Sequence, residues 1–108
     1  MKEYIYKGHR IVIKHMPPFI VDFPDGYYCG YVIVPRSHRL YGVEDIDKLN
    51  DELSVHGVIT YADFDVAMDD YVIGFDCGHM GDDIRVQDAE FALKECKRLV
   101  DQLIGVEK

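Results

Sequence analysis

Residues 75–83, FDCGHMGDD, put a thiol, an imidazole and three carboxylates into nine positions, with Gly78 and Gly81 to let the chain bend. In an extended strand, residues two apart share a face, so Cys77 and His79 can reach one ion together. C-x-H alone is a weak signal. A second segment strengthens it: HGVITYA (56–62) and YVIGFDC (71–77) read as two strands joined by DFDVAMDD (63–70). With Ala62 opposite Tyr71, His56 falls opposite Cys77. Opposed Cβ atoms lie ~4.5–5.5 Å apart, close enough for both side chains to meet on one zinc at ~2.0–2.3 Å. His56, Cys77 and His79 are therefore the expected ligands, and mixed nitrogen and sulfur donors suit zinc over magnesium or calcium. The fourth position is open to His38, His15, Asp76 or water. The same residues also fit a buried thiol beside hydrogen-bonded histidines, or a Cys–His nucleophilic pair.

DFDVAMDD begins D-x-D, as an EF-hand loop does. It carries Met68 where that loop needs glycine and Gly74 where it needs a bidentate glutamate. A solvated acidic hairpin loop is the better expectation.

The elements that must position these residues are legible by period. EYIYKGHRIVIKH (3–15) alternates about Lys7-Gly8 and predicts a hairpin, stopped by Pro17-Pro18. FIVDF (19–23) and YYCGYVIV (27–34) flank the turn signal Pro24-Asp25-Gly26 and predict a second hairpin. PRSHRLYG (35–42) is a loop, and VEDIDKLNDEL (43–53) predicts a short helix with Ile46, Leu49 and Leu53 on one face. QDAEFALKECKRLVDQLIG (87–105) predicts a long helix. Its stripe is Ala89, Ala92, Leu93, Cys96, Leu99, Val100 and Leu103, and Gly105 is placed to end it. Cys96 on that stripe and Cys29 in a strand are expected in the core. The order predicts one α+β domain over 1–108: a curved antiparallel sheet of five to six strands, a short middle helix and a long C-terminal helix.

Length and composition set limits on function. A chain of 108 residues buries a small core, which a structural metal would support. Three cysteines argue against a disulfide framework and for a reducing, cytoplasmic setting. No apolar run approaches the ~20 residues of a membrane span. The net charge is −8, and residues 44–83 hold twelve Asp and Glu against one Lys, a formal −11. Such a chain is not expected to bind nucleic acid directly, because phosphate contacts need clustered Lys and Arg. A basic protein partner or a cation is expected instead.

PRSHRLYG, VHGVITY and IGFDCGHMGD together resemble a family of small proteins from phages and their bacterial hosts. Its pattern is a histidine loop, then H-G-G-x-T-Y, then G-F-D-C-A-H-x-G-D, and the resemblance covers roughly residues 30–105. Val58 stands here where the family has its second glycine, and Gly78 where alanine is usual. Carried over by position, the pattern implies His38 as fourth ligand beside His56, Cys77 and His79. The resemblance further implies a zinc-containing anti-CRISPR protein. Such a protein would inhibit a type II RNA-guided nuclease by obstructing target DNA loading, in the cytoplasm of the host cell. The acids expected to meet that nuclease are Asp47, Asp51, Asp63, Asp65, Asp69 and Asp70. The alternative is a small zinc hydrolase with three protein ligands, a bound water, and Asp76 or Asp82 as general base.

Overall fold

The structure, a computed structural model, describes residues 1–18, 25–65 and 70–107. Lys7 and Gly8 both take positive φ, 50° and 80°, which suits a tight two-residue turn matched to the twist of paired strands. They join β1 (Lys2–Tyr6) to β2 (His9–Met16), and β2 stops before Pro17 and Pro18. The FIVDF strand expected at 19–23, and Pro24 of its turn, lie outside the described residues. β3 covers Tyr27–Ile33, β4 Tyr61–Asp65 and β5 Asp70–Asp76. All pairings are antiparallel, in the order β1-β2-β3-β5-β4, so β4 is an outer strand.

Among the described residues, α1 (Ile46–Glu52) and α2 (Ala89–Val106) complete an α+β fold. Asp45 caps α1 by accepting from the Asp47 and Lys48 N–H groups. Asp88 caps α2 by accepting from Phe91 N. Each cap satisfies donors that a helix start leaves open. The helix α2 runs one residue past Gly105 and is capped by Glu107. Its Ala92, Cys96, Leu99, Val100 and Leu103 are buried with Ile11, Ile13, Val32, Ile73 and Phe75 of the sheet. Cβ groups on Gly30 would overlap Cys96 and Phe75, so this glycine sets how closely helix and sheet approach. On the opposite face Val12, Ile33 and Val72 form a smaller cluster beneath Tyr31 and Tyr61. Cys29, Cys77 and Cys96 are free and buried. Among the described residues no helix is long and apolar enough to cross a membrane.

The β4–β5 register differs from the sequence expectation. Tyr61 opposes Gly74 and Ala62 opposes Ile73, a shift of two residues from Ala62 opposite Tyr71. The strand also starts at Tyr61, not His56. The reason is local: Gly57 and Val58 both have positive φ, 67° and 68°, so the chain is turning there. Asn50 then takes the Ile59 backbone on both sides, donating to its carbonyl at 3.0 Å and accepting its N–H at 2.8 Å. Those backbone groups bond to a side chain of α1 in place of a ladder.

Candidate functional site

His56 and His79 are neighbours beyond the Cys77 end of β5, by a route other than the expected one. The β4–β5 ladder begins at Tyr61, so no strand register relates His56 to Cys77 or His79. The rings of His56 and His79 lie 6.3 Å apart between centroids. The His56 N–H donates to Glu95 of α2 at 2.9 Å, and its ring packs edge-on against Phe91 at 5.1 Å.

Asp82 ties the two histidine segments. Its Oδ1 lies 2.7 Å from His56 Nε2, and its Oδ2 accepts the His79 N–H at 3.0 Å. The return bond from Asp82 N to His79 O, 2.9 Å, closes the turn. The Asp82 side chain is only 7 % exposed, so these contacts are desolvated and a lost partner is costly. Asp82 was named at the sequence level only as a candidate base. Its spacing three residues after His79 is the local signal that fits its role as a turn cap.

Asp76 makes a second link. Its Oδ1 accepts the Gly78 N–H at 3.0 Å, and its Oδ2 accepts from the Thr60 hydroxyl at 3.3 Å. His79 Nε2 stands 3.4 Å from Asp76 Oδ1, too far for a good hydrogen bond. That nitrogen is buried and has no hydrogen-bond partner among the described residues. Tyr27 covers Gly78, where a Cβ would overlap its ring. Cys77 is 2 % exposed, and burial, reinforced by the charge of Asp82, pushes its thiol up to about 12. A thiol held protonated in this way is a poor nucleophile.

His38 is elsewhere. It is buried at the other end of α2, where Nε2 lies 2.7 Å from the Leu103 carbonyl and Nδ1 accepts from Leu40 N at 3.0 Å. Beside it Arg39 Nε donates to the Val106 carbonyl at 2.9 Å and its guanidinium pairs with Glu52. The loop thus caps the carbonyls that the helix end leaves open. Glu95, which holds His56, precedes Leu103 by eight residues, or ~12 Å of helix. The structure therefore does not bring His38 to the other three. His15 pairs with Tyr28 across the ladder, its ring tilted against that tyrosine at 5.0 Å, and its Nε2 lies 3.2 Å from the Asp25 carbonyl.

The fit to zinc is partial. The donor types at the His56 end suit it, with His56, Cys77, His79 and Asp82 in one neighbourhood and an orphaned nitrogen on His79. Among the described residues, however, no three such side chains are grouped as an ion would need.

The acids expected to meet a partner are spread over three elements. Asp47 and Asp51 lie on α1, Asp63 and Asp65 on β4, and Asp70 opens β5; Asp69 lies outside the described residues. Besides the Asn50 clamp, the Tyr41 hydroxyl donates to Asp70 Oδ1 at 3.3 Å and the Tyr71 hydroxyl to the Val43 carbonyl. Burial raises the Tyr71 hydroxyl to about 12, and the nearby carboxylates of Glu44 and Asp63 add to that rise.

Comparison with protein-family models, curated proteins and solved structures finds no match to this chain.

Proposed function

We propose that this chain is an acidic interaction protein that occupies a basic, nucleic-acid-holding surface of a partner protein. The observation that supports it is that the acidic segment around α1 is tied to the acidic β4–β5 region. Asn50 holds the Ile59 backbone just before β4, the Tyr41 hydroxyl bonds Asp70, and the Tyr71 hydroxyl of β5 bonds the Val43 carbonyl just before Glu44. Lys48 is the lone Lys or Arg between Glu44 and Asp65. Such a surface imitates the charge of a phosphate backbone and is drawn to channels lined with Lys and Arg. A type II RNA-guided nuclease, the partner that the family resemblance implies, holds its heteroduplex in a channel of that kind. Occlusion needs no chemistry.

In this proposal a zinc ion is a staple at the His56 end, held by His56, Cys77 and His79, with Asp82 taking the place expected for His38. The orphaned His79 nitrogen favours it. The ion would supply folding energy to a small core. The hydrolase alternative is less well supported, because both oxygens of Asp76 already take hydrogen bonds and this reading gives Asp82 to the ion.

The test is affinity for a guide-loaded type II nuclease across a salt series, for the wild type and for Asp47→Lys, Asp51→Lys, Asp63→Lys and Asp65→Lys combined. The expected result is tight binding that weakens steeply with salt and falls at least tenfold on reversal. No binding by the wild type at low salt defeats the nuclease assignment.

A further inference from the structure

Phe64 is the exposed aromatic residue of the described chain: 51 % of it is open to solvent, on the outermost strand. It is not loose. Tyr71 lies opposite it in the ladder with rings 5.3 Å apart, and Tyr41 meets it edge-on at 5.6 Å. Tyr71 itself is fully buried and anchored to Val43. The ring is thus held in place before anything binds, which lowers the ordering cost of a contact.

Three carboxylates lie near members of this trio. Asp63 precedes Phe64 and accepts its N–H at 2.8 Å. Asp70 accepts from the Tyr41 hydroxyl, and Glu44 lies near the Tyr71 hydroxyl. An apolar ring in a negative field is a poor seat for an aliphatic or acidic side chain. A flat cation fits both components, since guanidinium stacks on an aromatic face and pairs with carboxylates at its edge.

We infer that Phe64 is the anchor of the acidic surface, and that it receives an arginine side chain of the partner protein. The inference rests on the interaction surface proposed above and names the group that the surface selects.

The test uses two acetylated peptides of equal length and charge, one alternating Arg with Gly and the other Lys with Gly. Both are titrated into the full chain at low salt, with the Phe64 ring resonances followed by NMR. The Arg peptide should bind about three- to fivefold tighter than the Lys peptide and shift the Phe64 signals. Phe64→Leu should erase that preference and leave Tm unchanged within a few degrees; Phe64→Tyr should keep it. Equal binding of both peptides by the wild type, or an unchanged preference in Phe64→Leu, overturns the arginine anchor alone. If neither peptide binds the wild type, the acidic-surface proposal itself fails, and the anchor with it.

Discussion

The ring of His79 rests directly on the backbone of Gly57: a Cβ at Gly57 would overlap its Nε2 and Cδ2 atoms. Gly57 also has φ of 67°, a conformation that costs an L-residue roughly 1–2 kcal/mol. Gly57→Ala therefore combines backbone strain with displacement of His79. It is expected to lower stability by about 2 kcal/mol or more, measured by urea unfolding. An unchanged midpoint would show that the two segments do not bear on each other.

The neighbouring position predicts the opposite sign. Val58 has φ of 68° and is 55 % exposed, so a β-branched residue sits in the left-handed region with little packing to gain. Glycine, which the resembled pattern places there, relieves the strain and returns part of the gain as chain entropy. Val58→Gly should stabilise by about 0.5–1 kcal/mol and raise Tm by a few degrees. A fall in Tm would contradict the φ assignment.

Gly57 and Val58 also account for the departure from the expected strand. The alternation in HGVITYA resembles a strand, yet Gly57, Val58 and the Asn50 clamp turn the chain before Tyr61. Side-chain period does not report a clamp made nine residues away. The β1–β2 hairpin and both helices were legible because their signals are local: Lys7-Gly8, the Asp45 and Asp88 caps, and the α2 stripe. Of the four expected ligands, His56 and His79 are linked, through Asp82 and not through strand pairing. His38 could not be read at all, since its partner is a backbone carbonyl 65 residues away.

Metal analysis separates the two ends of α2. His38→Ala removes a cap on the Leu103 carbonyl and is expected to cost about 1–2 kcal/mol while leaving zinc content unchanged. If the proposed zinc is bound, Cys77→Ser is expected to remove it. Elemental analysis of the purified variants checks both, and stoichiometric zinc in Cys77→Ser would eliminate that ligand.

Acid sensitivity should trace to His9. Its Nδ1 is buried with no hydrogen-bond partner among the described residues. Burial lowers its pKa, His38 adds to the shift, and Glu107 opposes it. As pH falls below the ordinary histidine value of about 6.5, the unfolded chain takes up this proton before the folded one does. Stability from His9 is thus present above about pH 6.5 and is lost as pH falls toward the depressed folded value. His9→Phe should flatten urea midpoints between about pH 6.5 and 5; an unchanged slope would assign the acid response to other groups.

The proposal that the acidic surface displaces nucleic acid is tested most directly by competition. A labelled target duplex is bound to a guide-loaded type II nuclease, and its anisotropy is followed as this protein is added at fixed, near-physiological salt. The account predicts that the duplex is released in proportion to the protein bound. The combined reversal of Asp47, Asp51, Asp63 and Asp65 to lysine should release little. A duplex that stays fully bound at saturating wild-type protein would contradict it.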